Sequence, residues 1–180
     1  MFDRDQFIAD CQAATRVGSS HAPVREVVAR AVAEPGAVLA GLGEPRRAGI
    51  EMIHRAADLT ILNVVWGAHL TLMPHDHRMW AVIGIYTGRE DNIFWRRLPS
   101  EEGGRVEAAG ARALSVKDAV VLGADIIHSV TNPIPRLTGA IHVYGGDFFG
   151  VERSEWDSET LREQRFDMAR VLEAFEAVGS

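Results

Sequence analysis

The spacing of hydrophobic positions along this 180-residue chain changes character twice. Between residues 3 and 16, Phe7, Ile8, Cys11 and Ala14 recur at helical spacing, and between 22 and 33 Val24, Val27, Val28, Ala31 and Val32 do so again, which predicts two short helices. Ser19 or Ser20 is placed to cap the second, Pro23 suits its first turn, and Glu34-Pro35-Gly36 should end it. Residues 36 to 48, with Gly41, Gly43 and Pro45, read as a connecting segment with a helical turn at Ala37-Val38-Leu39-Ala40. From about residue 50 the pattern shortens to β-type runs separated by turn residues. The predicted strands are Leu59 to Trp66, a short run through His75 and His77, Trp80 to Tyr86, Asn92 to Arg97, one weaker strand or two within Val106 to Leu114, Ala119 to Leu122, Ile126 to Val130 and Leu137 to Tyr144. Turns are expected at Thr87 to Asp91 and at Glu101 to Gly104. Short strands at such close turn spacing indicate an antiparallel sandwich or barrel.

From Trp156 to Val178 the pattern reverts to helix. Leu161, Met168, Leu172 and Phe175 fall on one stripe, Asp157 or Ser158 can cap the start, and Gly179 can follow the end. The expected organisation is one domain: an N-terminal helical segment, 1–49, packed on a barrel, 50–150, followed by a C-terminal helix within 151–180.

Composition narrows the function classes. With 47% hydrophobic and 24% charged residues the chain is ordinary for a soluble globular protein, and its net charge of −6 argues against a nucleic-acid surface. No phosphate-cradling loop or nucleophile elbow occurs. The single cysteine, Cys11, rules out an intramolecular disulfide and a Cys-rich zinc site, and it fits a reducing cytoplasm. Met1-Phe2-Asp3-Arg4-Asp5 lacks the basic-then-apolar pattern of a signal peptide, and no apolar run is long enough to span a bilayer, so a cytoplasmic protein without a membrane partner is expected. Edge strands and appended helices offer surfaces for homo-oligomerisation.

The densest chemistry lies in Met73-Pro74-His75-Asp76-His77. Alternation along a strand sends His75 and His77 to one face and Asp76 to the other. Two imidazoles on one wall make a metal site when a third ligand arrives, and His128, in a later apolar run, is the candidate. Imidazole suits Zn, Cu, Fe and Ni alike, so the ligands do not name the metal. His142 and Tyr144 alternate around Val143 and share a face, either as groups that orient a substrate or as a satisfied core histidine and a buried tyrosine. Arg78 should point away from the metal, and His69 reads as a loop residue.

The order of N-terminal helices, Trp66-Gly67, the His75-Asp76-His77 motif, His128 followed by Asn132, and His142-Val143-Tyr144 resembles the cysteine dioxygenase-like, or thiol dioxygenase, branch of the cupin superfamily over residues 50 to 149. The resemblance implies a mainly β fold, the cupin double-stranded β-helix or jelly-roll barrel. It implies Fe(II) held by His75, His77 and His128, and oxidation of a small thiol such as cysteine or 3-mercaptopropionate to a sulfinate with O2. His142 and Tyr144 would orient substrate or oxygen, and Arg55 would bind a substrate acid group. Three departures accompany it. Ala81 and Val82 stand where many cupins carry a glutamate ligand, Ala140 stands where some relatives have the serine of a Ser-His-Tyr relay, and the cysteine cross-linked to tyrosine in some members would fall near Val82. Two alternatives remain on the same barrel: an enzyme of other chemistry, a carbon–carbon-cleaving dioxygenase or an isomerase using Zn, Ni or another divalent metal, and a non-catalytic metal- or ligand-binding protein.

Overall fold

The computed structural model describes residues 2–17, 21–99 and 104–178. Two of its helices are those the spacing predicts, α1 (Arg4–Thr15) and α2 (Ala22–Val32). Asp3 caps α1 by accepting from the Gln6 N–H at 2.9 Å. The α2 cap position is His21, with Pro23 in the first turn, while Ser19 and Ser20 lie outside the described residues. Glu34-Pro35-Gly36 does more than stop α2. Pro35 starts a third helix, α3 (Pro35–Leu42), where only a turn was expected, because a proline at a first helical position gives up an N–H that had no partner anyway.

Nine strands follow before the chain leaves the barrel: β1 (Gly49–Arg55), β2 (Thr60–Trp66), β3 (Thr71–Asp76), β4 (Ala81–Thr87), β5 (Arg89–Arg97), β6 (Val106–Ser115), β7 (Ala119–Leu122), β8 (Ile127–Thr131) and β9 (Thr138–Tyr144). β1 was not predicted; it is an edge strand whose face is only partly buried, so its apolar alternation is weak. The antiparallel pairs β2·β9, β3·β8, β4·β7 and β5·β6 nest inside one another, as in a single long hairpin whose innermost pair is β5·β6. Further pairs β4·β9 and β5·β8 wrap that hairpin on itself and divide it between two sheets, ordered β1-β2-β9-β4-β7 and β11-β10-β3-β8-β5-β6. This is a jelly roll, the double-stranded β-helix. Of the turn expected at Glu101 to Gly104, residues 101–103 lie outside the described residues, as does residue 100.

Alternation divides the apolar residues of the inner strands of the first sheet between two cores. Leu62, Val64, Ala81, Ile83, Ala140 and Tyr144 point into the barrel. Ile61, Val82, Tyr86, Ile141 and Val143 point outward against α1, α2 and α3, beside Phe7, Cys11, Val28 and Val32. Both faces being covered, β2 and β9 are buried at every residue. Gly84 permits the close approach of α2: a Cβ there would lie 2.4 Å from a methyl of Val28.

The C-terminal region differs from the expectation. Residues 156–167 are not helical. β10 (Ser154–Trp156) and β11 (Glu163–Arg165) form a hairpin that joins the edge of the second sheet through Glu155 and His75, and only α4 (Met168–Ala177) is helix. The cap is therefore Asp167, accepting from the Ala169 N–H at 2.9 Å, and not Asp157 or Ser158. The reason is the fully buried Glu155. It accepts from Gln164 Nε2 at 2.9 Å and the Asp167 N–H at 3.1 Å and pairs with Arg170 at 2.7 Å, tying both strands and the helix start to one carboxylate. The inward stripe of α4 is Met168, Val171 and Phe175, whereas Leu172 is 45% exposed and Leu161 packs with Trp156 in a separate cluster. Gly179 lies outside the described residues, and among the described residues no helix is long and apolar enough to cross a membrane.

Candidate metal centre

The strand register brings the first and third predicted ligands face to face, His75 on β3 opposite His128 on β8. Pro74 cannot donate to the ladder, and the register slips between Leu72 and His75, which re-aims the strand just before the site. His77 follows the end of β3 and returns to the same pocket, while Arg78 turns outward in a left-handed conformation, φ 55°, and pairs with Asp76 at 2.8 Å. His77 Nε2 lies 3.3 Å from His75 Nε2 and 3.2 Å from His128 Nε2. Two nitrogens about 2.1 Å from a shared ion would stand about 3.0 Å apart at an octahedral angle and about 3.4 Å apart at a tetrahedral one. The spacing fits a metal ion, and among the described residues these three form the one cluster of this kind.

The surroundings fix which nitrogens face the centre. His75 Nδ1 lies 3.0 Å from the Met73 carbonyl and donates to it; His128 Nδ1 lies 2.7 Å from Asn92 Oδ1 and donates there. In both rings the Nε2 lone pair is left for a metal. All three imidazoles are buried, and burial holds their charged forms down: His75 is lowered to about 4, and His77 and His128 well below the ordinary value, with the neighbouring imidazoles adding to the effect. Neutral rings are the form that ligates.

The three histidines line a small cavity of about 40 Å³. His142 and Tyr144 form its polar corner, with His142 Nδ1 3.1 Å from the Tyr144 hydroxyl, as the alternation of β9 predicts. The Tyr144 ring stands edge-on to His77, centroids 5.0 Å apart, and burial pushes its phenol pKa up. Phe148, Phe166, Met168, Val171 and Phe175 line the aromatic and aliphatic mouth.

Arg55 is placed elsewhere. On β1 it makes a bidentate pair with Asp147, at 2.8 and 2.9 Å, and lies over the Phe149 ring, outside the cavity wall. Asn132 is also apart from the cluster: its amide donates to the carbonyls of Trp66, Gly67 and Arg136 and secures the turn after β8. Three further residues belong to the region and escaped the sequence reading. Glu90 and Asn92 sit on β5 with their side chains inside the barrel, because that strand begins at Arg89, just after a tight turn at Gly88, φ 78°, and not at Asn92. Asn92 Nδ2 donates to Glu90 Oε1 at 3.0 Å, and Glu90 Oε2 faces His142 Nε2 at 3.5 Å. The alternation of Glu90, Asn92 and Phe94 against exposed Arg89 and Ile93 was the available signal. Arg153 is buried between the Phe148 and Phe166 rings, 4.1 and 3.9 Å from their centroids, and donates to the Phe148 carbonyl. Burial lowers its pKa to about 10.

No family profile matches the chain. Similar solved structures are cupins. One is an RmlC-like cupin family protein with a double-stranded β-helix fold from Methanocaldococcus jannaschii, 9% identical, TM-score 0.48, covering 59% of this chain and 87% of that one. Another is a cupin superfamily protein from Desulfitobacterium hafniense, 12% identical, TM-score 0.46, covering 59% and 85%. A third is the DMSP lyase DddQ from Ruegeria pomeroyi, 18% identical, TM-score 0.47, covering 63% of this chain and 53% of that one. At these identities the likeness is one of barrel architecture, which the nested strand pairs establish on their own.

Proposed function

We propose that the protein is a non-haem Fe(II) dioxygenase that oxidises a small thiol to its sulfinate. The observation that supports this reading is the convergence of three neutral imidazoles, with no carboxylate in the cluster, beside a small and largely apolar cavity. His75, His77 and His128 would hold Fe(II), which when bound supplies open positions where a thiolate and O2 meet. The overall change is R–SH + O2 → R–SO2H. Two S–O bonds form and the O–O bond breaks; sulfur loses four electrons and O2 gains them, and the acid proton leaves to solvent.

The chain's own residues supply the rest. Burial keeps the three rings unprotonated and so available as ligands. Tyr144 and His142 offer the hydrogen-bonding corner that orients the reacting group. The aromatic and aliphatic mouth excludes water, which limits side reactions. A cavity of about 40 Å³ selects for a substrate of few heavy atoms.

The test is oxygen uptake by protein loaded anaerobically with Fe(II), across a panel of small thiols, with His128→Ala as control. One thiol should drive uptake, yield one sulfinate per O2 and give nothing with the variant. Iron bound at near one equivalent with no uptake from any thiol would overturn the proposal and leave the metal site standing.

A further inference from the structure

Inside the barrel lies a fully buried carboxylate, Glu90, that no part of the proposed reaction uses. Glu90 has zero exposure, and it lies between the metal-ligand side of the cavity and the His142–Tyr144 corner. Its Oε1 accepts from Asn92 Nδ2 at 3.0 Å. Its Oε2 faces His142 Nε2 at 3.5 Å, and neither atom has a hydrogen-bond partner among the described residues.

We infer that Glu90 is the positioning residue that sets where the protons sit on two imidazoles at once, His128 on one side and His142 on the other. The reasoning is one of donors and acceptors. A carboxylate accepts at both oxygens and donates at neither. Asn92 must therefore turn its NH2 group to Glu90, which leaves its Oδ1 to accept from His128 Nδ1–H at 2.7 Å. His128 is then bare at Nε2, the atom that faces His77. On the other side the carboxylate favours the Nε2–H form of His142. Its Nδ1 then accepts the Tyr144 O–H at 3.1 Å, and the lone pairs of the phenol oxygen are left for a donor on the ligand. One side chain thus gives direction to a chain of five groups, His128, Asn92, Glu90, His142 and Tyr144.

The inference rests on the three-imidazole site and not on thiol oxidation, and its test contains no thiol. Long-range ¹H–¹⁵N correlation on metal-free protein labelled at histidine, at pH 8, reads each ring's tautomer directly. The unaltered protein should show His128 as Nδ1–H and His142 as Nε2–H. Finding His142 as Nδ1–H would overturn the inference without any variant being made. Glu90→Gln sharpens the test, because an amide accepts at one end and donates at the other. Provided it folds, it must invert His142 or, by turning Asn92 over, His128. Unchanged tautomers in both rings would show that Glu90 does not set them. Asn92→Ala, read by Zn(II) competition with a chromophoric chelator, should weaken binding about 10- to 100-fold, as loss of a ligand's supporting hydrogen bond does. Unaltered zinc affinity would remove the His128 branch.

Discussion

The first sheet separates two cores built from the same strands, and they differ in kind. On its outer face Ile141, Val143, Val82 and Ile61 meet helices α1 to α3 in a layer whose buried ionisable groups, Cys11 and Tyr86, are both held in their neutral forms, each pushed up to about 12 chiefly by burial. On its inner face, one residue along, His142, Ala140 and Tyr144 share the barrel with His75, His77, His128, Glu90 and Asn92. Apolar contacts are non-directional, so the outer layer needs only volume and close packing. Buried polar groups are costly unless matched in direction, so the inner face depends on which atom faces which. The molecule therefore has a face that supplies stability and a face that carries chemistry, one peptide apart.

The comparison is broken most severely at the inner face. His128→Ala should abolish tight metal binding, dropping bound Fe(II) or Zn(II) from near one equivalent to a small fraction in elemental analysis. Truncating the outer layer should do the reverse. Ile141→Ala should cost about 2 to 5 kcal/mol in urea unfolding, from lost burial and a residual cavity, with metal stoichiometry unchanged at temperatures where it stays folded.

Acid should distinguish the faces next. In the metal-free protein the three ligand histidines are held neutral, so their contribution is full above the ordinary histidine value near 6.5 and falls as pH drops toward about 4, the value for His75. For His75 alone the loss is on the order of 3 kcal/mol. Denaturant midpoints measured between pH 7 and pH 4 should fall accordingly, and saturating Zn(II) should move the fall to lower pH by favouring the deprotonated rings.

Gly84→Ala probes the boundary itself. Its Cβ would meet Val28 and Val32 at 2.4 and 2.9 Å, so a loss of about 1 to 3 kcal/mol in thermal or urea unfolding is expected from overpacking against α2. At the smallest end, Leu172→Ala on the exposed side of α4 should stay within about 0.5 kcal/mol of the parent, which separates the observed stripe from the one that included Leu172.

Much of this was legible in the chain, for a physical reason that varies by element. β2, β4 and β9 show as short apolar runs rich in β-branched and aromatic residues and bounded by turn residues, and α1 and α2 show by 3.6-residue spacing; these are local facts, as is the alternation of side chains along any strand. The same alternation put His75 with His77 and His142 with Tyr144. The short strands β10 and β11 were read as helix because they are held by long-range partners, Glu155 above all, and carry little pattern of their own. Glu90 was taken for a turn residue because charged side chains are seldom buried, and only a partner such as Asn92, itself tied to His128, makes that burial tolerable. Arg55 was placed by resemblance, and its position is decided by Asp147, distant in sequence.

By itself the sequence determined a mainly β barrel with helices on one side, and which histidines share a strand face, because those properties follow from the stereochemistry of neighbouring residues. Only the tertiary structure decided that His128 meets His75 and His77 and that Glu90 stands between His128 and His142. It also decided that the short helix α4, and not a longer one, lines the cavity. These are meetings of residues far apart in the chain, set by strand register and by which buried polar atoms find partners.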